Sequence, residues 1–219
     1  MEFSDYIPIW GQLTPRQQKT LEQAAVTRLA PKGMVIQRSG EECTGMLVVR
    51  KGQLRAYLLS DDGREITLYR LFERDICLFT ASCLLHSIQF DITIEAEKDT
   101  ELWLIPAPAA KAVMQESAPA ANYINELMAA RFSEVMWLVE QILWKSFDKR
   151  LAAFLLEESS LEESLTLSIT HETIGKHLGT AREVVTRMLR YFQSEGLVEL
   201  TRGRVVLKDP KGLEGLQES

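Results

Sequence analysis

Residues 170–198 contain four polar side chains whose types and spacing suit hydrogen bonding to the edges of DNA bases. Arg182, Glu183, Thr186 and Arg187 fall on one side of a helix, because steps of three and four residues return to the same face. An arginine fork matches the two acceptors of guanine, a carboxylate accepts from the amino group of cytosine, and a hydroxyl can do either. We predict that these four residues read base edges in the major groove.

Two helices joined by a tight corner are predicted to position these side chains. Thr170 can cap the first helix, and Gly179 can supply the positive φ that the corner needs. Thr180 and Glu183 match the T-x-x-E capping box that starts a second helix. The second helix has apolar residues for its buried side: Val184, Val185, Met188, Leu189 and Phe192. A plainer interpretation leaves Glu183 to the capping box alone and the arginines on a solvated face.

A short hairpin is predicted after the second helix, with its turn near Gly203. Arg202 and Arg204 flank this turn, where guanidinium groups can bind phosphates and fix the register of the protein on a duplex. We predict that the hydroxyls of Thr170 and Thr180 bind phosphates as well. The hairpin and the two helices together predict a winged helix-turn-helix.

The distribution of charge agrees with DNA binding at this end of the chain. The whole chain has 25 basic and 31 acidic residues, for a net charge of −6. Residues 166–212 contain eight basic and five acidic residues, which gives +3 and leaves −9 for the remainder. A basic segment attached to an acidic body indicates a protein that presents one face to DNA.

The first half of the chain, to about residue 106, is predicted to be mostly β-strand. One helix is expected over residues 15–29, with Thr14 as its N-cap and Pro15 in its first position. Short alternating runs of apolar and polar residues follow, and Gly63 after two aspartates is typical of a hairpin turn. Short strands at this spacing predict a sandwich or a barrel.

A long helix is predicted from Pro119 to about Lys145, and it has two apolar ridges. The first ridge is Ile124, Met128, Val135, Leu138 and Ile142, and the second is Phe132, Met136, Val139 and Leu143. The simplest way to bury both is to pack one on the helix's own domain and the other on a partner helix. We assign the first ridge to a dimer contact; burial of the whole helix in a monomer is the alternative. A helix at 149–157 and an acidic loop at 157–164 should follow.

The chain resembles the Crp/Fnr family of bacterial regulators. The family's helix-turn-helix is similar to residues 174–189, IGKHLGTAREVVTRML, with its arginine, glutamate and arginine at 182, 183 and 187. The helix from Pro119 resembles the family's dimerisation helix. The family's β-roll effector domain has a glycine spacing similar to that of Gly33, Gly40, Gly45 and Gly52.

This resemblance implies an α+β fold in three parts. They are an N-terminal β-roll, which is a cyclic-nucleotide-binding-like jelly roll, over 1–118, a long dimerisation helix over 119–146, and a C-terminal winged helix-turn-helix over 147–219. It also implies a homodimer that binds double-stranded operator DNA with half-sites about 34 Å apart. RNA polymerase is a candidate partner by the same resemblance.

The resemblance fails where cyclic-nucleotide-binding members hold phosphate. Those members end a phosphate cassette in an arginine followed by serine or threonine, and an ungapped match back from Ala96 places Phe90 and Asp91 there. Phenylalanine cannot pair with phosphate and aspartate repels it. We therefore predict that cyclic AMP is not the ligand. The candidate effector-pocket residues are Cys77, Phe79, Cys83, Phe90 and Asp91.

The chain's few cysteines and histidines predict no resident cofactor and no metal site. The N-terminal cysteine cluster of the iron–sulfur members is missing, and the C-x5-C spacing of Cys77 and Cys83 matches no zinc or cluster pattern. A thiol sensor at these cysteines stays open beside the plainer interpretation that they are small buried residues. Haem ligation by His86 is a further alternative.

These observations favour a regulator over an enzyme and place it in the cytoplasm. No Cys/His/Asp arrangement supports a thiol enzyme, and the chain has only three histidines. An odd cysteine count without a signal peptide or a membrane segment indicates a reducing compartment. The leading hypothesis is a DNA-binding regulator whose β-roll senses an unidentified small molecule or a redox signal. The alternative is a constitutive regulator whose β-roll has lost its ligand.

Overall fold

The computed structural model describes residues 2–38, 45–77 and 92–218. The chain divides into two compact units, one of Met1–Leu58 with Leu68–Val135, the other of Leu59–Thr67 with Met136–Ser219. Several residues considered above lie outside the described ranges: Phe79, Cys83, His86, Phe90 and Asp91.

Two four-stranded antiparallel sheets make up most of the first unit. The strands are β1 (Val26–Ala30), β2 (Val35–Gln37), β3 (Met46–Lys51), β4 (Leu54–Leu59), β5 (Glu65–Leu71), β6 (Ile76–Cys77), β7 (Ile92–Ala96) and β8 (Thr100–Ile105). One sheet has the order β1-β8-β3-β6, and the other has the order β2-β7-β4-β5. The predicted sandwich or barrel of short strands is thereby confirmed. Gly63 turns the β4–β5 hairpin at φ +79°, as its sequence context predicted.

The two sheets share one apolar core because alternate residues of each strand point to the same side. In β4 these are Leu54 and Ala56, and Ile94 of β7 joins them; all three are fully buried. Leu47 and Leu102 contribute from the other sheet. Burying one such leucine or isoleucine stabilises the fold by about 1.5–3 kcal/mol.

The first α-helix is shorter than predicted. Helix α1 is Pro15–Ala24, capped by Thr14 as expected, whereas the prediction extended it to residue 29. The segment from Val26 forms β1 instead and pairs antiparallel with β8 along its whole length. Adjacent β-branched residues, Val26 and Thr27, fit a strand better than a helix.

Helix α3 (Ala118–Trp144) follows a short α2 (Ala107–Glu116). The burial of its apolar residues shows which of its two predicted ridges packs on its own domain. Ile124 is only 5% exposed and, with Met128, belongs to the apolar core of its own domain, while Val135 packs on the core between the sheets. Ile124 is therefore wrong as a partner contact. The other members of the first ridge keep accessible surface, so their assignment to a partner stays a prediction: Met128, Val135 and Leu138 are half-buried and Ile142 is exposed.

The second ridge of α3 has no covering layer within the described chain. Phe132 is 66% exposed, Met136 47%, Val139 39% and Leu143 66%. Helix α3 thus has one apolar face packed on its own domain and one turned to solvent. None of the helices in the described ranges combines the length and the apolar character needed to cross a bilayer.

The second unit contains four helices and a small sheet. Its elements are α4 (Phe147–Leu161), β9 (Thr166–Leu167), α5 (His171–Leu178), α6 (Arg182–Ser194), β10 (Val198–Thr201), β11 (Arg204–Leu207) and α7 (Pro210–Glu218). The sheet has the order β10-β11-β9. Helix α4 continues to Leu161, so the predicted acidic loop is wrong for residues 157–161. Neither β9 nor α7 was predicted.

Candidate nucleic-acid interface

Helix α5 begins at a side-chain cap that the sequence predicted. The Thr170 hydroxyl accepts a hydrogen bond from the backbone N–H of Thr173 at 3.0 Å, and the two threonine hydroxyls are 2.8 Å apart. One of the otherwise unpaired N–H groups of the first turn is satisfied in this way. The predicted contact between Thr170 and a phosphate therefore involves a hydroxyl that already serves as a helix cap.

The corner between α5 and α6 is built on two glycines. Gly179 has φ +68°, which confirms the predicted left-handed corner. The backbone N–H groups of Gly179 and Thr180 both donate to the carbonyl of Gly175. Because Gly175 is so close to the returning chain, a Cβ placed there would lie 2.7 Å from the carbonyl oxygen of Thr180.

Replacing Gly175 by alanine is expected to destabilise the protein by about 1–3 kcal/mol, since the added methyl overpacks against the backbone. The matched control is Gly215→Ala in α7, where an added Cβ meets nothing within 4 Å. That substitution should stabilise by up to about 1 kcal/mol, because alanine loses less backbone entropy in a helix. Urea unfolding of both variants measures the difference, and equal effects would contradict the tight corner.

Helix α6 starts one residue later than the predicted capping box requires. Its N-cap is Ala181, with φ −72° and ψ 146°, and no side chain caps it. The prediction that Thr180 and Glu183 form a capping box is therefore wrong. Glu183 is exposed in the first helical turn, where the helix dipole stabilises its negative charge. The half-buried Thr180 keeps its untested assignment to a phosphate.

The amphipathic pattern of α6 places the predicted recognition residues outward. Its buried residues are Val185, Leu189 and Phe192, which are three of the five that the sequence assigned to this side. The other two, Val184 and Met188, are half-buried. Arg182, Glu183 and Arg187 are all exposed on the first half of the helix. This half of α6 therefore has the side chains and the accessibility that a major-groove reader needs.

Thr186 differs from its three neighbours in the predicted set. Its hydroxyl donates to the carbonyl oxygen of Arg182 at 2.9 Å and lies 2.9 Å from Nδ1 of His171. The only proton of the hydroxyl is therefore used inside the protein. The hydroxyl of Thr186 thus links α6 to α5, and its assignment to base reading stays a prediction.

The predicted wing is the β10–β11 hairpin, which turns at Gly203 with φ +73°. Arg202 and Arg204 flank the turn and are exposed. A cleft of about 410 Å³ lies between this turn, the start of α5 and the start of α6. The ionisable side chains that line it are His171, Glu172, Arg182, Arg202 and Arg204. The cleft therefore collects three guanidinium groups beside one carboxylate, as a phosphate-binding surface requires.

Residues 59–67, which comprise the turn of the β4–β5 hairpin and the start of β5, belong to the same unit as the helix pair and contact α5. The ammonium of Lys176 is 3.0 Å from the carboxylate of Glu65. The hydroxyl of Thr67 is 2.8 Å from Nδ1 of His177. Sequence reasoning missed this contact, because residues more than a hundred positions apart leave no local pattern.

Of the predicted effector residues, Cys77 alone lies within the described ranges. It is 1% exposed and belongs to the core between the sheets, which agrees with the plainer interpretation of a small buried residue. Within the described residues, no three histidine, cysteine or acidic side chains come together in a way that could hold a metal ion.

Two family models match separate parts of the chain. A model of a Crp-like helix-turn-helix domain matches residues 149–216, which contain the helix pair and the wing. A model of a cyclic nucleotide-binding domain matches residues 27–117, which contain the two sheets. The predicted β-roll, long helix and winged helix-turn-helix are thereby confirmed.

Individual proteins agree with these matches. The chain is similar to the crystal structure of a protein from Eubacterium rectale ATCC 33656 assigned to the Crp/Fnr family, with 60% identity and a TM-score of 0.96 over 98% of this chain and all of that one. It is 26% identical to the cyclic AMP receptor protein of Thermus thermophilus, over 94% of this chain and 95% of that protein. It is 25% identical to the transcriptional activator FnrA of Stutzerimonas stutzeri, over 83% of this chain and 76% of that protein.

Helix α6 follows a glycine corner, carries an exposed pair of arginines and lies beside a basic wing, which is the arrangement of a DNA-binding helix-turn-helix. A relative with 60% identity shares the fold along the chain. The chain therefore belongs to the Crp/Fnr family of DNA-binding transcription regulators.

Proposed function

We propose that the protein acts as a homodimer that binds a two-fold symmetric operator in response to an effector sensed by the β-roll. The observation that carries the dimer is the solvent-exposed ridge of α3. Its residues Phe132, Met136, Val139 and Leu143 are spaced by four, three and four, which is the spacing of a coiled-coil seam. A large apolar stripe of this kind marks a protein interaction surface.

A symmetric dimer explains how one short helix could select a site. Each protomer presents one copy of α6, so that two copies can enter successive major grooves of one duplex about 34 Å apart. The bound sequence should then be an inverted repeat, because the two half-sites are related by the two-fold axis of the dimer.

The proposed effector response is supported by the β4–β5 hairpin. Residues 59–67 of this hairpin lie in the same unit as α5. Glu65 forms an ion pair with Lys176, and the Thr67 hydroxyl is hydrogen-bonded to His177. The rest of both strands belongs to the first unit. A change in the β-roll therefore has a covalent route to the helix-turn-helix. Allostery requires that the effector prefer one of two arrangements of that route.

Cyclic AMP is expected not to bind, although the relative from Thermus thermophilus is named a cyclic AMP receptor. Phe90 and Asp91 stand where the nucleotide-binding members have a phosphate-binding arginine and its hydroxyl neighbour, and the loss of that charge-assisted pair removes the main anchor. Isothermal titration calorimetry with cyclic AMP should give no binding heat, and saturable binding at micromolar concentration would contradict this expectation.

Selection from a library of random duplexes tests the proposed function. Bound duplexes should be enriched in an inverted repeat, and sedimentation equilibrium should give twice the mass of one chain. Unrelated bound sequences together with a monomer would overturn the proposal. A thermal-shift screen of small molecules then tests the sensor, because a ligand that binds the native state raises stability by mass action. We place the protein in the cytoplasm, with RNA polymerase as a candidate partner.

A further inference from the structure

His171 occupies the first position of α5 and lines the cleft between the helix pair and the wing. Its side chain is half-buried, and its Nδ1 is bonded to the Thr186 hydroxyl at 2.9 Å. The charged residues of α6 that act on the ring electrostatically are Arg182 and Arg190. This imidazole therefore lies where a DNA phosphate would approach the start of both helices.

One arrangement of protons makes hydrogen bonds of both contacts of the Thr186 hydroxyl. In it the hydroxyl donates its single proton to the carbonyl of Arg182, and its oxygen accepts from His171. We assign the proton of the neutral ring to Nδ1 on this basis. In the neutral ring Nε2 then holds only a lone pair, which repels a phosphate oxygen. A second proton can enter only at Nε2, and it would turn that atom into a donor.

The surroundings of His171 disfavour protonation of the ring while the cleft holds no anion. Burial, together with the guanidiniums of Arg182 and Arg190, lowers the pKa of His171 below its ordinary value. Arg202 and Arg204 of the wing line the same cleft, and Glu172 of α5 is the carboxylate among them. A phosphate in the cleft would offset these positive charges and favour the imidazolium.

We propose that His171 is a phosphate ligand of the DNA interface that binds by taking up a proton, so that DNA affinity rises as the pH falls. This inference rests on the proposed binding of a duplex by the helix pair. The complex holds one more proton per protomer than the free protein, so lowering the pH favours the complex. The effect covers the window between the pKa of His171 in the free protein and its higher value in the complex.

Fluorescence anisotropy with a labelled random-sequence duplex tests this inference, because any duplex presents phosphates. At constant ionic strength, the wild-type dissociation constant should fall by about tenfold or more between about pH 8 and pH 6, since one pKa unit corresponds to a factor of ten. The dependence on salt should also steepen, by about one phosphate contact per protomer. Proton NMR of the imidazole should show its pKa rising when the duplex is added.

Two variants separate the charge of His171 from its hydrogen bond. His171→Asn places an amide N–H at the position of Nδ1, which keeps a donor for Thr186, and it cannot titrate, so its affinity should change by less than about twofold over the same range. His171→Arg carries a permanent charge and should bind at the higher pH as tightly as the wild type binds at the lower one. Thermal melts verify that both variants fold.

The outcomes distinguish this inference from the proposed function. A His171→Asn variant with the wild-type pH dependence would overturn the inference and leave only a structural bond between α5 and α6. Wild-type binding that does not depend on pH would overturn it as well. Failure of the wild type and both variants to bind any duplex would overturn DNA binding itself, and the inference with it.

Discussion

A Met136→Glu variant is expected to be monomeric and to bind its selected operator at least about a hundredfold more weakly than the wild type, because linking two half-site contacts typically raises affinity by about 10²–10⁴. Met136 lies in the middle of the exposed ridge of α3. In a parallel two-helix seam each such residue faces its own symmetry mate, so the substitution would bring two carboxylates together. Sedimentation equilibrium measures the mass, and anisotropy titration measures the affinity.

The matched control is Ala130→Glu, which adds the same charge to the same helix. Ala130 is exposed and lies roughly 120° around the helix from Met136, away from the ridge. This variant should remain a dimer with operator affinity close to that of the wild type. A Met136→Glu protein that stays dimeric would show that α3 does not supply the interface. A monomer with undiminished affinity would show that one helix pair suffices for the operator.

The fold could be predicted where the signal was local. Alternation of apolar residues in β4 and the glycine after two aspartates are both contained within a few residues, and both features appear as expected. The end of α1 could not be predicted in this way. Val26–Ala30 becomes a strand because β8, more than seventy positions later, supplies its hydrogen-bonding partner. Pairing between distant segments overrides local propensity.

The two ridges of α3 show the same limit. Periodicity identified both of them, since each follows steps of three and four residues. Periodicity does not say which ridge meets the protein's own domain, and the assignment of Ile124 to a partner was wrong for that reason. The residues that share an apolar core with Ile124, such as Leu13 and Ile105, come from distant parts of the chain.

The candidate DNA interface was predictable in its outline. The exposure of Arg182 and Arg187 follows from the amphipathic pattern of one helix. The role of Thr186 does not, because its hydroxyl is bonded to His171 on the neighbouring helix. His171 itself gave no sequence signal: a single histidine at the start of a helix acquires meaning only when the wing and α6 surround it.

Arg182→Ala is expected to reduce discrimination between the selected operator and a random duplex, and Arg202→Ala is expected to leave that discrimination intact. An arginine paired with guanine contributes about 1–3 kcal/mol of discrimination, so the loss over two half-sites is about 2–6 kcal/mol. Both arginines are exposed and line the same cleft. Competition binding with the two duplexes measures the ratio of affinities.

The contrast between these variants depends on where each arginine is held. Arg182 opens α6, the element that can enter a groove, so removing it should act mainly on the operator. Arg202 lies beside the turn of the wing, where we assign it to the sugar-phosphate backbone. Its removal should therefore weaken both duplexes alike and lower the salt slope by about one for each phosphate that the protein no longer binds. If Arg202→Ala alone changed the ratio of affinities, the wing would be the base-reading element and α6 would serve to hold phosphates.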